Sequence, residues 1–383
     1  MDRRGFITTG VAAGLVGLSG RATALEAAVS RGGVLRRRAR PAGPANGVIK
    51  LSSNENPAGL SPAARDAVTE ALGVANRYPR ETRTRMVEAV ARYHGVPKES
   101  VVLGAGSTEV LQMSVQALQA PRARLVIADP TFEDVPRYQR PFAYELVKVP
   151  LDARYAHDLG HMREIAEEAW RPSVVYLCNP NNPTGTLTPS DEIDAWIRSA
   201  HESTFFLVDE AYFEYAGDPA YHTALPWISE HPNVIVVRTF SKIYGMAGMR
   251  LGYGLAHPDT ARRLRDFISA NNANQLALAA GLACLGDEEL IRRSVRLNAT
   301  ALGIARSTLD DLGLEYLPTQ TNFLMHRIAG DLEAYRKRML DAGIRVGRPF
   351  PPMLEWNRVS IGLPEEMARW ADTLRDFRKK GWV

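Results

Sequence analysis

Short apolar runs alternate with amphipathic stretches between about residues 100 and 255. Helical patterns separate several of these runs, for example at residues 108–118 and 191–201. Runs that are apolar throughout and alternate with helices are typical of a parallel sheet that helices cover on both faces. The predicted strands cover residues 101–103, 125–128, 174–177, 205–208 and 234–237. The pattern predicts an α/β fold, with a mostly parallel sheet sandwiched by helices in a large domain.

The pattern changes after about residue 270, where it becomes mostly helical. Two late apolar runs, at residues 322–325 and 358–361, read as strands, which predicts a smaller C-terminal α+β domain. Ser61 followed by Pro62 is a typical helix start, because serine caps free amides and proline fits the first helical position. The expected organisation is an Arg- and Pro-rich arm at 25–60, a large domain at 61–270 and a small domain at 271–383.

Composition and charge narrow the class of protein. The 383 residues are 45% hydrophobic and 23% charged. The net charge of +4 is small, so neither nucleic acid nor an anionic membrane is expected as a partner. The two cysteines, Cys178 and Cys284, have no spacing typical of a metal site, and no metal is expected. Cys178 lies in an apolar run, which favours a buried thiol, while a bridge to Cys284 stays open.

Residues 1–24 have the pattern of a secretory signal peptide. Arg3 and Arg4 precede a Gly- and Ala-rich apolar stretch, and the Ala-Thr-Ala sequence at 22–24 fits a cleavage site. The stretch is too short to make a stable membrane anchor. The arginine pair resembles a twin-arginine signal, so we expect the twin-arginine machinery to export the folded protein to the periplasm or beyond. A Sec-type signal or an uncleaved anchor is the alternative.

Polar residues follow four of the predicted strands, at the sheet edge where α/β proteins bind ligands. Gly106, Ser107 and Thr108 follow the first strand and lead into a helix. The free amides and the positive dipole end of such a helix can hold a phosphate. The alternative is an ordinary helix start that Ser107 or Thr108 caps.

Asn182 follows the third strand in a turn that two prolines fix, so its amide can be aimed rigidly at a ligand. Asp209 and Tyr212 follow the fourth strand. A buried acid at a strand end is costly unless a cation pairs with it, and a protonated pyridine nitrogen would be such a cation. The alternatives are a helix N-cap for Asp209 and a core aromatic for Tyr212.

Lys242 follows the fifth strand in a glycine-rich loop, with Ser241 before it and Arg250 after it. A lysine that can lose its proton condenses with an aldehyde, and an arginine binds phosphate with charge-assisted hydrogen bonds. Each residue alone has a structural explanation. The ordered set indicates a phosphorylated aldehyde cofactor.

These motifs resemble a known family. Residues 179–185, 209–212 and 241–250 resemble, in this order, the class I/II aminotransferases of fold type I, which use pyridoxal 5'-phosphate (PLP). The histidinol-phosphate aminotransferase branch is the most similar, through residues 51–57, 76–79, 322–323 and 358–362. The resemblance extends from about residue 48 to the C-terminus.

The resemblance implies roles for the matching residues. Lys242 would form the aldimine with PLP and then move the proton, while Asp209 would pair with the pyridine nitrogen. Arg358 would bind the substrate α-carboxylate, and Tyr78 would reach the partner's cofactor in a homodimer. The other implied cofactor-binding residues are Gly106, Ser107, Thr108, Phe132, Asn182, Tyr212, Ser241 and Arg250. Asn322 and Asn56 are implied in substrate binding, and Tyr212 in catalysis.

Two departures from the family pattern affect the predicted substrate. Phe132 stands where the family usually has tyrosine, so ring stacking survives and a hydroxyl is lost. Residues 346–353 and Trp356 are more apolar than a site for a substrate phosphate needs, although domain packing accounts for them equally well. Phe132, Phe350 and Trp356 favour an aromatic or other bulky amino acid beside a histidinol-phosphate-like one.

The predicted reaction is transamination between an amino acid and a 2-oxo acid. A PLP-dependent decarboxylase, lyase, synthase or oxidase is the alternative, because fold and cofactor do not fix the reaction. A third hypothesis is an exported binding protein without catalysis. The presence of Lys242, Asp209 and Arg358 disfavours it.

Overall fold

The structure, a computed structural model of the chain, describes residues 47–168 and 171–383. The predicted signal at 1–24 and most of the predicted arm at 25–60 lie outside the described residues. The described residues belong to one compact unit.

The described strands are β1 (Ile49–Leu51), β2 (Val101–Gly104), β3 (Arg124–Asp129), β4 (Glu145–Pro150), β5 (Ser173–Cys178), β6 (Thr204–Asp209), β7 (Val234–Thr239), β8 (Gly252–Ala256), β9 (Phe323–Arg327), β10 (Ile344–Val346) and β11 (Trp356–Ser360). The described α-helices are α1 (Pro62–Ala71), α2 (Arg80–His94), α3 (Ser107–Ala117), α4 (Asp134–Tyr138), α5 (Leu159–Glu167), α6 (Ser190–Ser199), α7 (Pro258–Arg265), α8 (Gln275–Cys284), α9 (Glu288–Leu312), α10 (Leu332–Asp341) and α11 (Pro364–Lys379). Helix α1 begins as predicted, because the Ser61 side chain accepts from the Ala64 amide and Pro62 follows it.

Seven strands form the central sheet in the order β2-β8-β7-β6-β5-β3-β4. Within this sheet β8 runs antiparallel to both of its neighbours, and the other paired strands are parallel. Two apolar clusters cover its faces, and successive side chains of β5 alternate between them: Val175 belongs to one, while Val174 and Tyr176 belong to the other. The predicted α/β fold and its five strands are confirmed.

The C-terminal part has a cluster of its own, around Trp370 and Leu324. Strands β9 and β11 pair antiparallel there, as the late apolar runs predicted. Strand β1 pairs in parallel with β10, so the N-terminal segment at residues 49–51 is hydrogen-bonded to the C-terminal part of the chain. Helix α8 packs instead with the first sheet cluster. The division at residue 270 stays a prediction.

Both cysteines are buried and free, and they lie in different apolar clusters. The bridge that the sequence left open is therefore absent between Cys178 and Cys284, both of which the structure describes. Burial raises the pKa of the Cys178 thiol well above its usual value, as expected for an inert buried thiol. Among the described helices, none combines the length and apolar character that crossing a membrane requires.

Candidate active site

The loop from β2 to α3 forms a cradle with Arg250. The Arg250 guanidinium lies 3.3 Å from the Ala105 carbonyl oxygen, 3.5 Å from Thr108 Oγ1 and 3.4 Å from Ser241 Oγ. Gly106 caps α3 with φ of 83°, and a Cβ there would collide with that guanidinium. No side chain caps α3, so the alternative of a helix start capped by Ser107 or Thr108 is wrong. The loop joins a helix N-terminus to a cation, an arrangement suited to phosphate.

Asp209 ends β6 in a buried position, 3% exposed. Its Oδ2 accepts from the Tyr176 hydroxyl at 2.9 Å, and its Oδ1 accepts from the Ala211 amide at 3.2 Å. Burial raises the pKa of Asp209 to about 6, while the Tyr176 hydrogen bond and the Lys242 charge oppose that rise. No α-helix starts at Asp209, so the N-cap alternative is wrong. A cationic partner would stabilise the ionised form of this buried carboxyl.

Lys242 lies half-buried on the loop after β7, and its Nζ is 5.6 Å from the centre of the Tyr212 ring. Burial and then the Arg358 charge lower the pKa of Lys242 to about 8. A substantial fraction of this amine is therefore neutral at mildly alkaline pH, which is what a nucleophilic lysine requires.

Tyr212 is buried, as the core-aromatic alternative predicted, yet its hydroxyl is tied to polar groups. Asn54 Nδ2 donates to Tyr212 Oη at 3.0 Å, and the Ser360 hydroxyl donates to Asn54 Oδ1 at 2.9 Å. Asn54 adopts φ of 53°, a left-handed conformation that asparagine tolerates better than most residues. Asn54 lies in the motif at residues 51–57, but no role was predicted for it.

Arg358, on β11, reaches across to the predicted cofactor loops. Its Nη1 donates to Asn182 Oδ1 at 2.6 Å, and its Nη2 donates to the Ser52 carbonyl oxygen at 3.0 Å. Its Nε is buried and has no hydrogen-bond partner among the described residues. Burial lowers the pKa of Arg358 to about 10. A cation held by neutral groups, with a donor to spare, is suited to a carboxylate.

The structure places Asn56 and Asn322 in the walls of the site, with most of their amide groups already bonded. Asn56 Nδ2 donates to the carbonyl oxygen of Ile243, the residue that follows Lys242, and to the Ser294 hydroxyl. Asn322 Nδ2 donates to the Asn54 carbonyl oxygen, and its buried Oδ1 has no partner among the described residues. Both residues therefore tie the segment around residues 54–56 to the site.

Phe132 and Asn182 lie on loops that are tied to each other. The Thr131 hydroxyl donates to Asn181 Oδ1 at 2.8 Å, and Asn181 Nδ2 donates to the Pro130 carbonyl oxygen. Tyr78 lies apart from these contacts and is 76% exposed. Trp356 packs with Met325, Met353 and Leu317, which agrees with its packing interpretation. Tyr176 was missed, although a tyrosine in an otherwise aliphatic strand was a visible signal.

The comparisons with known proteins bear on this site. The family model for aminotransferase class I and II matches residues 46–374. The chain belongs to this family. The class I/II aminotransferase is 36% identical over 329 residues to histidinol-phosphate aminotransferase 2 of Nitrosospira multiformis, covering 85% of this chain and 83% of that one. Identity is 37% to the histidinol-phosphate aminotransferase of Moorella thermoacetica, over 86% of this chain and 85% of that one.

Solved structures agree with the fold of this class I/II aminotransferase. A histidinol-phosphate aminotransferase candidate from Erwinia carotovora atroseptica gives a TM-score of 0.86 at 38% identity, covering 88% of this chain and 97% of that one. The Sinorhizobium meliloti histidinol-phosphate aminotransferase, solved with pyridoxal-5'-phosphate, gives 0.82 at 26% identity over 92% and 98%.

The protein is thus a PLP-dependent aminotransferase, and its residues fit the cofactor. The Gly106 cradle leaves no room for a Cβ beside Arg250, and Lys242 supplies an amine of lowered pKa. Asp209 is a buried acid whose hydrogen-bond donors among the described residues, the Tyr176 hydroxyl and the Ala211 amide, are neutral. These are the groups that a phosphate, an aldehyde and a pyridine nitrogen need.

A second polar cluster lies away from this site, where Asp191, Asp194 and His222 bring potential metal-ligand atoms within 4.8 Å of one another. Protein partners account for two of them, because Asp194 accepts from Trp227 Nε1 and pairs with His222 Nε2 at 2.9 Å. The cluster therefore gives no reason to revise the expectation of a metal-free enzyme.

Proposed function

We propose that the protein moves the amino group of an α-amino acid to a 2-oxo acid and binds the substrate α-carboxylate through Arg358. The observation that carries this proposal is the Arg358 guanidinium, buried at the site with a spare Nε and held by Asn182 and Ser52 rather than by an acid. A guanidinium and a carboxylate can form two parallel hydrogen bonds, so this contact would also fix the orientation of the substrate.

The proposed roles of the remaining residues follow from their chemistry. PLP, when bound, draws electrons from the substrate carbon that carries the amino group. Lys242 supplies the amine that holds the cofactor and carries a proton on Nζ between substrate and cofactor atoms. Asp209 would keep the ring nitrogen protonated, and Asn182 and Tyr212 would bind the phenolic oxygen. Ser241, Arg250 and the amides of 106–108 would hold the phosphate.

The proposed amino donor has an aromatic or other bulky side chain. Support comes from the Phe350 ring, whose centre lies 4.6 Å from the Arg358 guanidinium carbon, and from Phe132 on the loop after β3. Trp356 no longer supports it, because that ring is part of the packed C-terminal core. A histidinol-phosphate-like donor is the second candidate, favoured by the names of the relatives.

We also propose a homodimer in which Tyr78 reaches the partner's cofactor. Tyr78 ends a run of exposed residues, 72–78, and is more exposed than the two other large hydrophobic residues in it, Leu72 and Val74. Such apolar exposure is typical of a surface that another chain covers.

Export by the twin-arginine route is a further proposal. Its support is the Arg3-Arg4 pattern and the position of the family match, which begins at residue 46, beyond that pattern. Comparing the mature N-terminus in a strain with and without the twin-arginine translocase tests it, and an intact Met1 in both would refute it.

The function is tested by incubating purified holoenzyme with a panel of amino acids and following the loss of visible cofactor absorption. Aromatic donors are expected to react fastest, and pyridoxamine phosphate is expected to form. Lys242→Ala should abolish turnover and the borohydride-trapped adduct. Turnover that persists in Lys242→Ala, or a panel with no active donor, would contradict the proposal.

A further inference from the structure

Two guanidiniums lie over one buried aromatic ring beside the site. The Phe350 side chain is 2% exposed. The guanidinium carbon of Arg358 lies 4.6 Å from the centre of this ring, and that of Arg348 lies 4.2 Å from it. Arg348 is therefore a close neighbour of the cation proposed to bind the substrate acid.

The two arginines differ in how they are paired. Arg348 grips Glu133 with both amino groups, at 2.9 Å from Oε1 and 2.7 Å from Oε2. This fork geometry is the strongest form of arginine–carboxylate pairing. Arg358 bonds to the neutral oxygens of Asn182 and Ser52.

Glu133, which follows Phe132 on the loop after β3, brings a negative charge near Arg358, because it pairs with Arg348 and both arginines lie against the Phe350 ring. A second, exposed cation, Arg137, lies 3.6 Å from it, farther than Arg348. Arg348 lowers the pKa of Arg358 and Glu133 raises it, so both charges are felt at the substrate-binding cation. The +1 of Arg348 and the −1 of Glu133 cancel, and Arg137 is paired with Asp134 at 3.2 Å, so Arg358 is the arginine of this group that has no carboxylate partner among the described residues.

We propose that the Glu133–Arg348 pair is a charge filter, which makes the acid-binding edge of the site select the single charge of an amino-acid carboxylate over the double charge of a phosphate monoester. The inference rests on the proposed function and narrows its substrate class. A phosphate monoester carries close to two charges above pH 7 and is best matched by more than one cation. Because Glu133 neutralises Arg348, no second unpaired arginine is available at Phe350 to bind a doubly charged phosphate.

Two ligands that cannot be transaminated test the filter, 3-phenylpropanoate and 2-phenylethyl phosphate. They share an aromatic ring and differ in their acid group. Calorimetric titration of the PLP-loaded enzyme at pH 7.5 measures both affinities, and the readout is their ratio. The wild type should bind the carboxylate at least as tightly as the phosphate.

Glu133→Gln should shift the ratio toward the phosphate by about tenfold, equivalent to about 1.4 kcal/mol. Asp134→Asn removes the same charge one residue away, from a carboxylate paired with Arg137, and should leave the ratio unchanged. The double variant Glu133→Gln/Arg348→Gln should restore the wild-type ratio. Unaltered PLP absorption and melting temperature establish that each variant is folded.

A ratio unchanged by Glu133→Gln, an equal shift in Asp134→Asn, or wild-type preference for the phosphate overturns the filter alone. If neither ligand binds the wild type, the filter falls together with the proposed role of Arg358. The donor panel is scored separately, so loss of the aminotransferase assignment would appear there and not in these titrations.

Discussion

Burial gives Lys242 its reactivity at the scale of single residues. The amine loses hydration, and the nearby Arg358 adds repulsion, so its pKa falls from 10.5 to about 8. The folded chain binds fewer protons here than the unfolded chain between about pH 8 and 10.5. The contribution of Lys242 to folding stability therefore becomes more favourable as pH rises through that window.

The rate at which apoenzyme captures PLP should follow the neutral fraction of Lys242. We expect it to rise about tenfold per pH unit below pH 8 and to level off above it. Stopped-flow absorbance after mixing with PLP measures the rate. In Arg358→Gln the midpoint of this pH–rate profile should move to higher pH, because the positive charge that disfavours protonated Lys242 is gone. A profile that is flat from pH 6 to 9 would contradict this explanation.

Tyr176 acts on the cofactor site through Asp209, to which it donates its hydroxyl hydrogen. Tyr176→Phe should raise the pKa of Asp209 above about 6 and weaken PLP binding roughly tenfold, since hydrogen bonds to charged groups contribute about 1.5 kcal/mol or more. Equilibrium titration of apoenzyme with PLP, repeated across pH, measures both effects. Tyr144→Phe is the matched control, since Tyr144 is also buried but donates to the Val115 carbonyl. Equal losses in both variants would assign Tyr176 a packing role only.

At the scale of elements, the sequence pattern predicted the five sheet strands that are apolar throughout, together with β9 and β11, and missed β1, β4, β8 and β10. Strand β4 is mostly exposed or half-buried along its length, which reflects its place at the sheet edge. Strand β8 has two glycines among five residues, Gly252 and Gly254, so its hydrophobic signal is short. Strands β1 and β10 have three residues each, and their pairing joins segments nearly 300 residues apart.

The junction of β2 and α3 is expected to tolerate no side chain at Gly106. Gly106→Ala would strain a left-handed φ and push the Arg250 guanidinium out of the cradle. PLP affinity should fall by about tenfold or more, with the loss removed when pyridoxal, which lacks the phosphate, is titrated instead. Affinity equal to wild type would show that Arg250 does not need this position.

Gly303→Ala provides the matched control on another helix. Gly303 lies exposed inside α9, where nothing would contact an added Cβ. Alanine favours the helix by about 0.8–1 kcal/mol relative to glycine. The melting temperature should rise by about 1 °C, because the entropy of unfolding is large for a chain of this length, without any change in PLP affinity, as followed by thermal denaturation. A lower melting temperature would be incompatible with this environment.

At the scale of the whole molecule, the segment around residues 52–56 joins distant parts of the chain at the site. Ser52 and Asn54 bind Arg358 and Ser360 of β11, and Asn56 binds the Ile243 carbonyl beside Lys242. These long-range hydrogen bonds hold Arg358, the proposed carboxylate-binding residue, and Lys242 in one rigid arrangement, which catalysis requires.

The oligomeric state is the remaining prediction at this scale. Light scattering should give about twice the chain mass of 42.2 kDa. Val74→Asp, in the exposed segment before Tyr78, should shift the protein toward monomer and weaken PLP binding. Leu340→Asp, at a comparably exposed position on α10, should do neither. A wild-type monomer that binds PLP tightly would exclude the dimer.

The sequence by itself determined the α/β class and the five apolar strands to within one or two residues. It also determined that Lys242, Asp209, Asn182 and Arg250 lie at or after strand ends, because these features depend on local periodicity and on which residue types follow each strand. Tertiary structure alone decided that Tyr176 donates to Asp209, that Asn54 donates to Tyr212 and that Glu133 forms an ion pair with Arg348. Such pairs join residues 33, 158 and 215 positions apart. No local pattern encodes a contact that exists only after the intervening chain has packed.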